Sequence, residues 1–362
     1  RHFTEQGCHG DLCILLVTHL LPDRPQFIQV LDGVGRVGAI LPKPKSVHGP
    51  TLAWAQQHYP VLPLNRHWTS DPEGVIAQIA PLVEPHERLI ILDIGGYFAK
   101  TQAILAEHFG ARFLGVVEMT ENGHQRYEQE VLAAPVISVA RSPLKQAEDI
   151  QIGLSVVYSA ESLARTLRRT FNVCQAALFG YGKVGRSIAR ELRCRNLHLE
   201  LVETDALRQV EALSHGFKLV NKAEALGRAE LVICCTGNGS LDIADLQALR
   251  PGAMLASVTS ADDEFAFCLS QLPWPSEEVC PHVLALTRPD GSTIFLLNRG
   301  EAVNFVHGAV IGEYVYLVLA EIIEGVHQLA GQAPAAGLLE LPQATILNAK
   351  GDSLRRRWEG NF

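Results

Sequence analysis

The chain has 362 residues, 47% of them apolar, and a formal net charge of −8 that is spread along its length rather than blocked. That length favours two domains with a core in each, and the charge pattern excludes a basic nucleic-acid footprint and an acidic disordered tail, leaving small neutral or anionic ligands open. The eight cysteines include no CxxC pair and sit mostly in apolar strand-like runs, so reduced core thiols of a cytoplasmic protein are expected, with no disulfide and no metal site.

From the N-terminus, "LCILLVTHLL" follows polar residues and fits a buried strand better than a secretory signal. "RLIILDIGG", "RFLGVVEM", "QAALFGYG", "HLELVET", "ELVICCTG" and "AMLASVT" continue the series, alternating with helical patterns. Several are apolar without interruption, the mark of parallel strands covered on both faces, so the fold class is α/β and doubly wound. The character changes near "EDIQIGLSVVYSAES", where Ser159 is a candidate N-cap and Glu161 suits the first turn of a helix running to about Phe171. It changes again near "NFVHGAVIGEYV", before a long apolar helix through about Leu329. These breaks mark the middle section, 159–308, as a candidate inserted domain between 1–158 and 309–362. The late run "YVYLVLAEII" is about half the ~20 residues a membrane span requires, so no membrane segment is expected.

The stretch "FGYGKVGRSIAREL" carries the most specific local signal. Gly180 suits the tight turn after a strand, Gly182 the approach of backbone to a pyrophosphate, and Gly185 close packing of helix on strand; Lys183 and Val184 open that helix, whose N-terminus favours phosphate. A second strand ends on Glu203, placed to accept the hydroxyls of an adenosine ribose and to repel a 2′-phosphate, so NAD is expected over NADP; Asp205 is the alternative acid. Further on, Thr236, Gly237 and Asn238 end another strand, where a turn commonly faces the nicotinamide half.

With these residues in place the chain resembles the S-adenosylhomocysteine hydrolase family. The matching stretches occur in the family's order: "THLLPDRPQFI", "LDIGGYF", "VVEMTENG", "SVARSPLKQAED", "FGYGKVGRSIA", "LVETDA", "CCTGNGSLDI" and "NRGEAVNF". The resemblance implies a discontinuous substrate domain, 1–158 plus 309–362, split around a Rossmann NAD domain, 159–308, together with a homo-oligomer (dimer or tetramer) and a redox-assisted elimination and hydration on a ribose. It also implies that Lys145 and Asp149 hold the ribose hydroxyls beside the nicotinamide, that His19 is an auxiliary acid or base, and that Asn304 lies near the carboxamide. Lys145 and Asp149 stand four residues apart, on one face if the segment is helical.

The same resemblance exposes departures. Two of the family's three acids around the paired glycines are Ile94 and Tyr97 here, beside Asp93; one of its two adjacent glutamates is Met119, after Glu118; and Glu121 and Asn122 replace threonines. A family histidine aligns with Ser260, the glycine–histidine–proline gate with Val310, Ile311 and Gly312, and the adenine-side pair with His48 and Gly49. The tail "RRRWEGNF" replaces a Lys/Tyr terminus. The acid–base set for elimination and hydration is therefore depleted while the redox half remains, and the apolar replacements point to a smaller or less polar ligand. Two functions compete: an NAD-dependent enzyme acting on a hydroxyl of a nucleoside-like or polyol-like substrate, and a non-catalytic NAD-binding protein that regulates a partner through domain closure.

Overall fold

The computed structural model describes residues 8–259, 264–265, 272–310, 312–332 and 334–341, so Ser260, Ile311 and the tail 355–362 lie outside the described residues. It divides into two compact units: unit 1, residues 1–145 with 312–362, and unit 2, residues 146–311.

Unit 1 is built on six strands, β1 (Leu12–Leu20), β2 (Arg36–Val47), β3 (Arg88–Asp93), β4 (Phe113–Glu118), β5 (Pro135–Ser138) and, after unit 2 in the chain, β14 (Gly337–Leu339). They lie in the order β14-β5-β4-β3-β1-β2 with every neighbouring pair parallel. Leu89 to Asp93 are all buried, which is why this strand reads as an unbroken apolar run. The chain leaves β1 outward to β2 and returns to the opposite side for β3. The sheet's direction of winding therefore reverses between β1 and β3, opening a crevice at their C-terminal ends.

Unit 2 has β6 (Gln175–Phe179), β7 (His198–Val202), β8 (Lys218–Leu219), β9 (Leu231–Cys234), β10 (Met254–Ser257), β11 (Ser276–Cys280), β12 (Val283–Thr287) and β13 (Thr293–Leu297). The order β11-β12-β13-β10-β9-β6-β7-β8 contains the Rossmann arrangement, with β6 and β9 flanking the point of reversal and an antiparallel β11-β12-β13 extension. The α/β, doubly wound class expected of the chain is what both sheets show.

The long helix Pro143–Thr166 corrects one expectation. Ser159 caps nothing: it lies mid-helix, fully buried, with its Oγ 3.0 Å from His307 Nδ1. The helix starts instead at Pro143, with Ser142 Oγ accepting the Lys145 N–H at 3.0 Å. Gly153 and the β-branched pair Val156 and Val157 weaken the local helical signal and mimic a boundary. Gly153 is there for packing, since a Cβ would lie 2.2 Å from Ser187 Oγ on the helix Lys183–Cys194. The late apolar helix spans Glu313–Gln332 and covers β4. Among the described residues no helix is long and apolar enough to cross a membrane.

Candidate functional site

The glycine turn lies at the C-terminal end of β6. Gly180 takes φ +97°, open to glycine at little cost, and a Cβ on Gly185 would stand 2.3 Å from the Gly180 carbonyl oxygen. Gly182 differs from both. Its φ is −73°, and the nearest atom to a Cβ there is Arg208 Nη1, 3.8 Å away. Among the described residues nothing demands glycine at 182, so the room there suits a ligand that must reach the backbone. Gly182 is also the N-cap of the helix Lys183–Cys194 and offers no side-chain cap, leaving the first-turn N–H groups directed at that space. Arg208, whose guanidinium stands by the turn, adds positive charge that sequence reading missed; it sits on the next helix with no motif to mark it.

Glu203 follows β7 and accepts three backbone N–H groups, from Tyr181 at 2.6 Å, Thr204 at 2.7 Å and Asp205 at 2.9 Å. Its carboxylate thereby ties the glycine turn to the end of the second strand and keeps further lone pairs for a ribose. Asp205 is engaged as the N-cap of the helix Ala206–Ser214, accepting the Arg208 N–H at 2.9 Å, which favours Glu203 as the ribose-facing acid.

Thr236, Gly237 and Asn238 follow β9, and the first two turn their N–H groups inward. Thr236 N–H donates to Glu264 Oε1 at 3.0 Å and Gly237 N–H to Glu264 Oε2 at 2.8 Å, while the Ser240 hydroxyl donates to Oε1 at 2.8 Å. Glu264 is 1% exposed, yet it belongs to an acidic stretch, "SADDEF", that reads as a solvated loop. What organises this turn is therefore a buried carboxylate, and Asn238 remains exposed beside it.

A bridge between Ser257 and Ala302 brings the turn Val303–His307 to the C-terminal end of β10. There Asn304, 5% exposed, holds a buried Oδ1 that has no hydrogen-bond partner among the described residues. A buried acceptor left unpaired costs about 1–3 kcal/mol, and an amide N–H donor such as that of a nicotinamide carboxamide would satisfy it. The glycine cradle, Glu203 and this acceptor together fit NAD.

In unit 1, His19 is half-buried near the C-terminal end of β1, with Nδ1 2.5 Å from Ser46 Oγ. Burial, then the charges of Lys43 and Arg24, pull its pKa well below the usual histidine range, so the ring is neutral at physiological pH. Lys145 and Asp149, one turn apart on the helix Pro143–Thr166, are 7% and 6% exposed. The division between the units falls just after Lys145.

Three of the altered family positions, Ile94, Tyr97 and Met119, belong to the core of unit 1 or pack against it. Ile94 and Tyr97 belong to the buried cluster with Phe98 and Leu105, and Met119 packs against it. Asp93 and Glu118 lie beneath the β3 and β4 ends. Asp93 Oδ2 accepts from Phe98 N–H and the Tyr127 hydroxyl, and Glu118 accepts from the N–H groups of Gly95, Gly96, Met119 and Thr120 and from the Thr120 hydroxyl. Burial and the neighbouring Asp93 push Glu118 up to about 7, and burial raises Asp93 as well.

Three comparisons bear on this site. The family model for "S-adenosyl-L-homocysteine hydrolase, NAD binding domain" matches residues 156–310. An adenosylhomocysteinase of Thermotoga maritima is 30% identical over 228 residues, which cover 60% of this chain and 55% of that protein, so the chain spans about half the length of this curated relative. Among solved structures, the A chain of dipicolinate synthase from Bacillus subtilis is similar at a TM-score of 0.43 and 10% identity, covering 90% of this chain and 99% of that one. A phosphoglycerate oxidoreductase from Vibrio cholerae gives 0.43 and 13%, covering 88% and 99%.

Proposed function

We propose that this chain is a divergent member of the S-adenosyl-L-homocysteine hydrolase family, whose NAD-binding domain model matches residues 156–310, and that it is an NAD-dependent enzyme acting on a substrate hydroxyl. The hydroxyl belongs to a nucleoside-like or polyol-like molecule, which is oxidised, or oxidised and re-reduced, without ordinary S-adenosylhomocysteine hydrolysis. The observation that carries this reading is the burial of Lys145 and Asp149. A pair four residues apart that served only the helix surface would stand in water, where it is worth a few tenths of a kcal/mol. Burying both charged groups is costly, and a polar substrate hydroxyl is what such a pair is suited to hold.

Bound NAD supplies a hydride acceptor, held by Gly180, Gly182, Lys183, Val184, Gly185, Glu203 and Asn304, with Thr236, Gly237 and Asn238 at the nicotinamide end. Asp149 accepts the hydrogen bond of the reacting hydroxyl and orients it. Lys145 takes the hydroxyl proton as the carbon loses its hydride, leaving a carbonyl. His19, neutral, is an auxiliary base rather than an acid. Elimination and hydration lack support because Ile94, Tyr97 and Met119 are packed into the core of unit 1 where the family carries acids.

The test is a single-turnover assay with nucleosides and polyols, following NADH absorbance. Lys145→Met keeps the side-chain stem and removes the base, so it should abolish NADH formation while NAD affinity, measured by calorimetry, stays within about twofold. Equal NADH formation by variant and parent would remove Lys145 from the chemistry and leave an NAD-binding protein without demonstrated catalysis.

A further inference from the structure

One positive charge stands over the glycine turn without a match in the fold around it. Arg208 lies in the first turn of the helix Ala206–Ser214, just beyond Glu203. Its Nη1 is 3.8 Å from the position a Cβ would take on Gly182, the residue that opens the helix Lys183–Cys194 with no side-chain cap. Glu203 fixes this meeting: its carboxylate accepts the Tyr181 N–H, between the two glycines, at 2.6 Å, and so holds the turn against the segment that leads into the helix of Arg208.

The arginines by this turn are matched differently. Arg186, on the helix that the turn opens, pairs with Glu211 at 3.0 Å. Arg208 has two carboxylates beside it and pairs with neither. Asp205 Oδ1 takes the Arg208 backbone N–H at 2.9 Å, and Glu203 takes the N–H groups of Tyr181, Thr204 and Asp205. Among the described residues the Arg208 guanidinium has no hydrogen bond and no ion pair. An i, i+3 pair with Asp205 was open to it, and an arginine serving solubility alone gains nothing by lying against a glycine. The charge is also felt beneath the turn. Cys235 Sγ lies 3.2 and 3.3 Å from the carbonyl oxygens of Phe179 and Gly180. Burial, then Glu264 and Glu203, push this thiol well above its ordinary range, and Arg208 pulls it the other way.

We propose that Arg208 is a cofactor-binding residue, a guanidinium clamp on the pyrophosphate of NAD that reaches across from the helix Ala206–Ser214. The N-terminus of the helix Lys183–Cys194 offers roughly half an elementary charge, too little to balance a doubly charged pyrophosphate. A guanidinium adds a full charge and a planar fork of N–H donors matched to phosphate oxygens. The clamp rests on the NAD-binding part of the enzyme reading and is indifferent to which hydroxyl is oxidised.

The experiment is calorimetric titration of the full chain with NAD, ADP-ribose and NADP, each at about 50 and 200 mM salt. Arg208→Gln should weaken NAD and ADP-ribose alike, about tenfold at the lower salt, and should flatten the salt dependence of both. Arg208→Lys keeps the charge without the fork and should lose only about threefold. Thermal unfolding without nucleotide should be parental in both variants, since the exposed side chain holds nothing else in place. Parental affinity for NAD and ADP-ribose in Arg208→Gln would overturn the proposal. So would a loss confined to NADP, which would assign the guanidinium to a 2′-phosphate, or a loss that keeps the parental salt dependence, which would assign it to the ribose or the adenine. NAD binding that depends on Arg208 in a protein forming no NADH would sink the hydroxyl chemistry alone, and parental NAD affinity of Arg208→Gln in a protein whose parent forms NADH would sink this inference alone.

Discussion

Glu118 shows how a single side chain can hold a fold together and still be strained. It gathers five donors around the β3 and β4 ends, yet burial and Asp93 push its carboxyl up from an ordinary 4.5 to about 7. The folded chain therefore keeps a proton that the unfolded chain releases, and the stability this contributes is present below about pH 4.5 and is lost as pH rises through about 7. Urea unfolding at pH 5 and at pH 7.5 should show a decline of roughly 1–3 kcal/mol in the parent that is reduced in Glu118→Gln. Equal declines in both proteins would mean that Glu118 is ionised throughout. Residues such as Glu203 and Gly180 were legible because a short motif ties each to a local backbone requirement. Glu264 and Arg208 were not, because each depends on a contact between segments far apart in the chain, and an acid or a base in a polar stretch reads as solvated.

Among the elements, the strand–turn–helix around β6 separates glycines kept for the fold from one suited to a ligand. A Cβ on Gly185 would collide with the Gly180 carbonyl, whereas one on Gly182 would come no nearer than ordinary contact, 3.8 Å from Arg208 Nη1. Gly185→Ala should cost about 1–3 kcal/mol by overpacking and weaken NAD as a consequence. Gly182→Ala should leave thermal unfolding nearly unchanged and still weaken NAD at least tenfold, since the methyl would occupy the approach to the helix N-terminus. Unfolding curves together with calorimetry distinguish the two, and a Gly182→Ala protein with parental NAD affinity would remove the cradle assignment. The strands were readable from their unbroken apolar runs. The start of the helix Pro143–Thr166 was not, because Gly153, which its packing on Ser187 requires, looks from sequence alone like a break.

At the scale of the whole molecule, unit 1 depends on segments from both sides of unit 2. The helix Glu313–Gln332 buries Val315, Val318, Leu319, Ile322, Ile323, Val326 and Leu329, and β14 pairs with β5 at the sheet edge. At about 1.5–3 kcal/mol for each buried side chain, losing this helix exceeds the usual margin of a domain's stability. Ending the chain after Gly308 should therefore leave unit 2 protected from limited proteolysis and able to bind NAD, with unit 1 digested; survival of both units would show that β1 to β5 suffice alone. The same order of segments matters while the protein is being made. A ribosome delivers β1 to β5 first and then spends on the order of ten to thirty seconds on residues 146–311, at ~5–20 residues per second, before the helix that covers β4 emerges. For that interval the nascent chain presents the uncovered face of β4 and the open edge of β5, so holding chaperones should engage it there, and the inserted unit can be complete before its host is.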